Sequence, residues 1–319
     1  MSRNNTLSEI AEYLKGQQLL TLLCHVRPDG DTLGSAFGLA ALLRMLGKEV
    51  QVLCADSVSP RYRFLSGGEE CLLGEGEGAL VCIDIASPDM AGSFKELALG
   101  ADVVIDHHPT NPFYGKLNYV DPSAGATGEI MVALAKELGV MNGEAAAAFY
   151  TAIATDTGCF KYGNTTRNTH LAAAKLMEEE FDYVALNKWL FQTKSRAEFE
   201  INRKAMETLR YYEGGKIVTM LISWEMQQQT GAGADEMESI SALPIQLEGV
   251  VAAATFKEQK EGGYKVSLRT NGQLHGGEIC AHFGGGGHAM AAGCSMEGPF
   301  EKAEGQMASY LSAQWENIQ

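Results

Sequence analysis

The sequence lacks any apolar run of about 18 residues, the length from which a membrane-spanning helix is inferred. Its N-terminal segment, MSRNNTLSEIAEYLKG, predicts a helix with a polar face and does not have the pattern of a signal sequence. The seven cysteines include no C-x-x-C pair, and most lie inside apolar segments such as LLCH, which is typical of small buried side chains. These absences predict a cytoplasmic protein without disulfide bonds and without a membrane partner.

Basic residues are scarce beside acidic ones. The chain has 25 Lys and Arg against 40 Asp and Glu, a net charge of -15. Long nucleic acid is bound chiefly by Lys and Arg that displace its condensed counterions, so a field of this sign repels it. We therefore expect a phosphate-bearing substrate to be short and to meet a local positive centre, which bound metal ions can supply.

The 319-residue chain is 45% hydrophobic, enough for a buried core and for two domains. Apolar segments alternate with helical patterns in its first half. Strands are predicted at 19–25, 50–55, 79–86 and 101–106, and helices at 31–47, 128–140 and 144–156. Continuous apolar strands that alternate with helices favour a parallel sheet covered on both faces.

A polar helical segment separates this half from a second set of strand patterns. These patterns lie at 216–223, 250–259 and 263–271, before a glycine-rich segment, FGGGGHAMAAGC. We predict an N-terminal domain at 1–181, a helical connector at 182–210 and a C-terminal domain at 211–319. The predicted fold class is α/β, with a mostly parallel sheet in the larger N-terminal domain and a smaller α/β C-terminal domain.

Side chains that can bind metal ions lie at or just after the ends of three predicted strands and at the end of one predicted helix. They are His25, Asp29 and Asp31 in CHVRPDGDTLGS, Asp84 in CIDIAS, Asp106, His107 and His108 in IDHH, and Asp156 in IATDTGCF. A single Asp or His at such a place is typical of a cap or turn. Four such segments are expected to converge, because the carboxyl ends of parallel strands meet at one edge of a sheet. Converging carboxylates repel one another unless they bind protons or cations.

The mixture of imidazole and carboxylate groups indicates which cation is bound. It suits Mn²⁺ or a similar divalent ion better than Ca²⁺, which prefers oxygen ligands alone. Five or six protein ligands are too many for one catalytic ion, whereas two ions bridged by a carboxylate and a water use them all. Such a pair acidifies the water and holds the attacking and leaving oxygens of a displacement at phosphorus. The sequence therefore predicts metal-dependent hydrolysis of phosphoesters.

Five segments together carry a resemblance to a known family. HVRPDGDTLGS, CIDIAS, DHHPTN and ATDTGCF resemble the four motifs of the DHH phosphoesterase superfamily, and FGGGGHAMAAGC resembles the signature of its DHH-associated C-terminal domain. Their order and spacing are similar to those of the nanoRNase branch. That resemblance implies hydrolysis of short oligoribonucleotides to mononucleotides and of 3'-phosphoadenosine 5'-phosphate (pAp) to AMP. It also implies an active site in the cleft between a catalytic N-terminal and a substrate-binding C-terminal domain.

The resemblance also implies roles for individual residues of the N-terminal domain. The metal ligands of two Mn²⁺ or other divalent cations would be His25 and Asp29 for one ion, Asp31, His107 and Asp156 for the other, and Asp84 as the bridge. Besides Asp84, the implied catalytic residues are His108, which faces the substrate phosphate or the leaving oxygen, and Asp106, which orients an imidazole.

The glycine-rich segment has two interpretations when it is taken by itself. Gly285, Gly286 and Gly287 either form only a flexible turn or let the backbone approach an anion closely, with His288 as a further donor. The resemblance favours the second interpretation, in which this loop binds the non-scissile end of the substrate. It also matches Arg269 to an arginine that contacts phosphate, a role for which the planar guanidinium is suited.

Two other functions remain open from the sequence. Hydrolases of cyclic di-adenylate or of its linear product pApA share these motifs. A non-catalytic nucleotide-binding regulator is disfavoured, because every metal position holds a competent ligand. The expected partners are short RNA oligonucleotides or phosphorylated adenine nucleotides, not long nucleic acid. The sequence leaves the oligomeric state open, including a homodimer.

Overall fold

The computed structural model describes residues 4–67, 71 and 76–318. The chain divides into two compact units, Met1–Thr193 and Lys194–Gln319. Each unit has its own β-sheet, with five strands in the first and six in the second among the described residues, so the predicted α/β class is confirmed. Across the described residues, no helix combines the length and the apolar character that crossing a bilayer requires.

The sheet of the first unit is parallel throughout. Its strands are β1 (Leu19–Leu23), β2 (Glu49–Leu53), β3 (Ala79–Ile83), β4 (Val103–Asp106) and β5 (Leu117–Val120), in the order β2-β1-β3-β4-β5. The four strands predicted from apolar runs are present. Strand β5 was not predicted, because LNYV is a four-residue edge strand in which buried and half-buried positions alternate.

Helices connect these strands and cover both faces of the sheet. They are α1 (Leu7–Gly16), α2 (Gly30–Met45), α3 (Lys95–Ala98), α4 (Thr127–Leu138), α5 (Gly143–Asp156), α6 (Arg167–Leu176) and α7 (Tyr183–Asn187). Shorter 3₁₀ segments are at Arg63–Ser66 and Pro88–Phe94, and a π-helical turn is at Lys188–Gln192. The three helices predicted in this unit correspond to α2, α4 and α5.

Alternate residues of β1 to β4 enter two different cores, because successive side chains of a strand point to opposite faces. Leu22 and Ile83 belong to the larger core, which also contains side chains of α2, α4 and α5. Leu23 and Cys82 belong to the smaller core on the other face. Strands buried on both sides explain why these segments are continuously apolar, and they hold the loops at their carboxyl ends in fixed positions.

Helices α2 and α5 approach each other closely through glycine. A Cβ atom placed on Gly34 would lie 2.4 Å from the carbonyl oxygen of Ala148, and one on Gly30 would lie 2.3 Å from Oγ1 of Thr155. Glycine at both positions, four residues apart, therefore puts one face of α2 directly on α5. This contact brings the beginning of α2 next to the end of α5.

The second unit contains a mixed sheet. Its strands are β6 (Arg210–Tyr212), β7 (Ile217–Ile222), β8 (Ala252–Glu258), β9 (Tyr264–Thr270), β10 (Gly286–Gly287) and β11 (Ala291–Met296), in the order β10-β11-β9-β8-β7-β6. Only β7 and β8 pair in parallel among these described strands. Its helices are α8 (Arg196–Met206), α9 (Trp224–Thr230), α10 (Ala234–Glu238), α11 (Gly276–His282) and α12 (Phe300–Glu316).

The segment predicted as a connector, 182–210, is largely helical. It contains α7, the π-helical turn and α8, and the boundary between the two units falls inside it, after Thr193. Short 3₁₀ segments at Glu213–Gly215, Ser239–Ala242 and Pro244–Gln246 lie in the second unit.

Candidate metal centre

The loop after β1 supplies the first group of polar side chains. His25 is buried, with 7% of its surface exposed, and its Nδ1 lies 2.8 Å from the carbonyl oxygen of Val26. Asp29 is the N-cap of α2 and accepts hydrogen bonds from the backbone N–H groups of Asp31 and Thr32. The cap fixes the carboxylate of Asp29 because it satisfies N–H groups that a helix leaves free at its start.

Asp31 is directed into the unit from the first turn of α2 and is 1% exposed. Its two carboxylate oxygens accept hydrogen bonds from the backbone N–H groups of Thr127 at 2.7 Å and Gly128 at 2.9 Å, where α4 begins. The hydroxyl of Ser35 donates a third. A carboxylate at a helix N-terminus is stabilised by these donors and by the helix dipole.

Asp84 directly follows β3, in a backbone conformation that is unusual for a residue other than glycine. Its φ is 60°, in the left-handed region, and its backbone N–H donates to the carbonyl of Ile105 in β4. The side chain is 2% exposed, and its Oδ1 accepts a hydrogen bond of 2.9 Å from the hydroxyl of Thr127. The turn therefore aims a buried carboxylate at the edge of the sheet.

The DHH triplet is organised by its first residue. Asp106 ends β4, is fully buried, and accepts hydrogen bonds from the backbone N–H of His107 at 2.8 Å, from Nδ1 of His108 at 2.7 Å and from the amide of Asn111 at 2.7 Å. The imidazole that Asp106 orients is thus that of His108. The ring of His107 is instead oriented by the carbonyl oxygen of Ala124, 3.3 Å from its Nδ1.

Asp156 reaches the same place from the last residue of α5. Its Oδ2 accepts a hydrogen bond of 3.1 Å from the amide of Asn164, which also donates to the carbonyl of Gly125. The close packing of α2 against α5 puts Asp156 on the same side of the sheet as Asp31. Both carboxylates lie 3.8 Å from Nε2 of His107.

These side chains form three groups. Within each group, the ligand atoms lie within 4.8 Å of one another. The groups are His25, Asp29 and Asp84; Asp31, His107 and Asp156; and Asp84, His107 and His108. Nε2 of His25 is 3.5 Å from Asp29 and 3.6 Å from Oδ2 of Asp84. Nε2 of His107 is 3.7 Å from Oδ1 of Asp84. The two oxygens of Asp84 therefore face different groups.

The spacing of these nitrogen and oxygen atoms is slightly longer than that between the ligands of one cation and much longer than that of hydrogen bonds. Separations of 3.5 to 3.8 Å between nitrogen and oxygen are too long for good hydrogen bonds. Ligands about 2.1 Å from a small divalent ion, in contrast, stand roughly 3 to 3.5 Å apart. In both His25 and His107, Nδ1 faces a backbone carbonyl and leaves Nε2 for the carboxylate cluster, as metal-binding histidines require.

The electrostatics of the cluster also favour cations. Burial, together with the neighbouring carboxylates, raises the pKa of Asp84. The same causes raise the pKa of Asp31 well above its usual range. Burial and Asp84 likewise raise the pKa of Asp156 to about 6. Burial alone would lower the pKa of His25, but Asp29 and Asp84 outweigh it and raise the value to about 11. Bound cations would relieve the same repulsion that here retains protons. The residues present can thus bind divalent metal ions.

Comparisons with known proteins identify the family of the chain. The DHH family, N-terminal domain, matches residues 20–154, and the DHHA1 domain matches residues 214–316. A Thermus thermophilus protein named bifunctional oligoribonuclease and PAP phosphatase NrnA is 35% identical over 298 residues, which are 91% of this chain and 88% of that protein. A Bacillus subtilis protein of the same name is 30% identical over a segment that covers 85% of this chain and 87% of that protein.

The chain belongs to the DHH family. It is a phosphoesterase, as the sequence predicted. Its fold is also that of a solved structure, an exopolyphosphatase-related protein from Bacteroides fragilis, with a TM-score of 0.88 and 21% identity over 98% of this chain and 97% of that one. The matched N-terminal segment of the DHH family includes every ligand candidate except Asp156, which lies two residues beyond it.

The other predicted site residues of this DHH protein lie within the DHHA1 match. Arg269 is half-buried on β9, where its neighbours Leu268 and Thr270 point into the core. Its backbone partner on β11 is Ala291, and the next residue of β11 pairs with Gly287 of β10. Arg269 and the glycine segment are therefore close in this unit. His288 is exposed and closes the β10–β11 turn through its backbone N–H.

Glycine is required at two positions of this segment by close packing. A Cβ on Gly285 would lie 2.1 Å from the carbonyl oxygen of Gly293, and one on Gly287 would lie 2.5 Å from Cα of Ala292. Gly286 has open space around it and is exposed. The segment is therefore an ordered hairpin, and one that presents backbone without side chains to the solvent.

Sequence reasoning missed two residues that support the ligands. Thr127 contributes its backbone N–H to Asp31 and its hydroxyl to Asp84, and Asn164 donates to Asp156. Thr127 could have been predicted from its position at the start of the helix that follows the DHH segment, because free N–H groups there can bind a carboxylate. Asn164 was not predicted as a site residue, because its position eight residues after Asp156 does not reveal a contact across a turn.

Proposed function

We propose that this DHH phosphoesterase uses two Mn²⁺ ions to hydrolyse short oligoribonucleotides to mononucleotides and to remove a phosphate from pAp. In this proposal His25 and Asp29 hold one ion, and Asp31, His107 and Asp156 hold the other. Asp84 would be shared by the two ions. The observation that carries the proposal is that Oδ2 of Asp84 lies 3.6 Å from His25 while Oδ1 lies 3.7 Å from His107.

The chain's own residues prepare the reaction around these ions. Bound divalent ions would supply an acidified water and positive charge for phosphate oxygens. Asp106 holds Nδ1 of His108, so that the Nε2 of this imidazole is left for the substrate. The hydrogen bond that Nδ1 of His108 donates to Asp106 raises the pKa of His108 to about 8, which keeps the imidazole protonated at neutral pH. A protonated imidazole whose pKa is this close to neutrality is suited to donate a proton to the leaving oxygen.

We also propose a role for the second unit. Arg269 and the exposed backbone of Gly285, Gly286 and Gly287, with His288, would bind a phosphate that is not cleaved. The support is that Arg269 and the glycine hairpin lie on neighbouring strands, with β11 between them. In this proposal the segment 182–210 connects a catalytic domain at 1–181 to a substrate-binding domain at 211–319.

The choice of substrates is supported by the relatives and by charge. The two relatives described above are named for oligoribonuclease and PAP phosphatase activity, and each is aligned over most of its length. The net charge of -15 disfavours long nucleic acid and is compatible with short anionic substrates that meet bound cations. The partners in this proposal are thus short RNA oligonucleotides and phosphorylated adenine nucleotides.

The experiment that tests the proposal compares several substrates with the purified chain and Mn²⁺. They are pAp, a short 5'-phosphorylated RNA, pApA, cyclic di-adenylate and pyrophosphate. Release of AMP from pAp and of mononucleotides from RNA is the expected result. Turnover of only pApA or cyclic di-adenylate would support the alternative, a second-messenger phosphodiesterase. Binding without turnover of any of the five would support a nucleotide-binding regulator.

A further inference from the structure

Tyr162 is an exposed aromatic residue in the turn that follows Asp156. It is 61% exposed, yet its ring has a defined support. A Cβ placed on Gly158 would lie 2.4 to 2.6 Å from three atoms of the ring, Cζ, Cε1 and Cε2. The ring therefore rests on the backbone of Gly158, on the side where any other residue would have its side chain.

Hydrogen bonds fix this turn relative to Asp156. The backbone N–H of Tyr162 donates to the carbonyl of Thr157 at 3.0 Å, and the Tyr162 carbonyl accepts from Thr165 at 3.1 Å. Asn164, two residues further, donates to the carboxylate of Asp156 at 3.1 Å. Tyr162 and a candidate metal ligand thus belong to one hydrogen-bonded turn.

Burial does not explain why this tyrosine is held in place. Within the described part of the chain, its hydroxyl has no hydrogen-bond partner, and most of the side chain faces solvent. An exposed ring in the turn that also holds Asp156 is suited to a nucleobase. Stacking of a base on an aromatic side chain contributes about 1 to 3 kcal/mol and tolerates every base, because each base has a π-face.

We propose that Tyr162 binds substrate by stacking on the base of a nucleotide whose phosphate lies at the metal centre. This inference rests on the proposed function and adds a residue that selects nucleotides over simple phosphate esters without reading the base sequence. Stacking also provides affinity that does not depend on charge, which matters in a protein with a net charge of -15.

The test uses wild type, Tyr162→Ala, Tyr162→Phe and Tyr211→Ala with pApA and with two analogues of it, each lacking one base. Tyr162→Ala should lower kcat/KM for pApA by about 5- to 150-fold, chiefly through KM. Tyr162→Phe, which keeps the ring, should stay within about threefold of wild type. Tyr211→Ala removes a tyrosine of β6 that is 58% exposed and should leave kcat/KM unchanged.

The analogues and metal binding separate stacking from a structural role. On the analogue that lacks the stacked base, Tyr162→Ala and wild type should have equal kcat/KM. The Mn²⁺ affinity of Tyr162→Ala, measured by calorimetry, should equal that of wild type. A loss of Mn²⁺ affinity would make Tyr162 a support of Asp156 and overturn the inference, and so would an unchanged kcat/KM on pApA. Wild type that hydrolyses no dinucleotide would instead overturn the proposed function.

Discussion

At the scale of single residues, the centre depends on carboxylates that are buried and still accept hydrogen bonds. Asp31 and Asp84 are each at most 2% exposed, and both are bonded to Thr127. Burial would make such groups neutral, so they are useful as anions only when cations accompany them. The positive φ of Asp84 is a local strain of the kind that a functional site retains.

Replacing Asp84 with Asn should nearly abolish turnover. The side chain keeps its shape but loses the charge that both ligand groups share, so we expect kcat to fall by more than about 100-fold and Mn²⁺ affinity to weaken. Steady-state kinetics and calorimetry measure both effects. Asp102→Asn is the matched control, because Asp102 precedes β4, at the opposite end from Asp106, and bonds Lys116 and the backbone of Leu80. A fully active Asp84→Asn would contradict the bridging role.

Asp106 is a positioning residue for His108, and its charge should set a pH limit. In Asp106→Asn the imidazole loses the carboxylate that raises its pKa to about 8. The limb on the alkaline side of the pH profile of kcat should then move to lower pH, toward the usual value of about 6.5. Asn111→Ser removes another hydrogen bond to the same carboxylate and should lower the rate without a comparable shift of that limb. If the pH profiles of wild type and Asp106→Asn coincide, His108 is not the proton donor to the leaving oxygen.

At the scale of secondary-structure elements, the beginnings of α2 and α4 and the end of α5 meet at the carboxyl ends of β1, β3 and β4. The N-terminal N–H groups of α2 and α4 stabilise the anions of Asp29 and Asp31. The positions of these helices decide whether the carboxylates converge, and glycine in α2 decides how closely α5 can approach.

Gly34→Ala should therefore affect both stability and metal binding. The added methyl group would lie 2.4 Å from the backbone oxygen of Ala148, so α2 and α5 must separate. We expect a loss of about 1 to 3 kcal/mol in the free energy of unfolding, measured in urea, and weaker Mn²⁺ binding as Asp156 moves from Asp31. Gly305→Ala in α12 is the control: it has open space around it and should stabilise the chain by roughly 0.5 to 1 kcal/mol. Equal effects of the two substitutions would contradict the packing argument.

At the scale of the whole molecule, proton binding should couple to stability. In the metal-free protein, His108 has its pKa raised to about 8 and His25 to about 11, and Asp156 is raised to about 6. Above about pH 6.5, where unfolded histidines lose their protons, these groups thus bind more protons in the folded state than in the unfolded state. A group with a raised pKa contributes stability at low pH that is lost as the pH rises.

We accordingly expect the metal-free protein to become less stable between pH 6.5 and 8, in the range where unfolded histidine has lost its proton and His108 is losing one. Urea unfolding in the presence of a chelator measures this slope. Adding Mn²⁺ should stabilise the protein and do so more strongly at the higher pH, because ligands must release protons to bind a metal ion. If the free energy of unfolding of the metal-free protein rises between pH 6.5 and 8, the pKa of His108 is not raised in the folded state.

The sequence by itself determined the α/β class, four strands of the parallel sheet and the set of candidate ligands. Buried strands must be apolar on both faces, and helices that end at glycine, such as α2 before Gly47, leave a local pattern. The apolar pattern of a strand and the glycine after a helix are properties of short segments, so they can be recognised in the sequence without the tertiary structure. The edge strand β5 left only four alternating residues and was missed for that reason.

Only the tertiary structure decided which oxygens and nitrogens face one another. The support of Asp31 and Asp84 by Thr127, about one hundred and about forty residues away along the chain, depends on how α4 packs against the sheet. The same holds for Asp156, which reaches Asp31 because α5 packs on the glycines of α2. Residue types and their spacing predict the ligands that a chain offers, but long-range packing determines the geometry in which they are held.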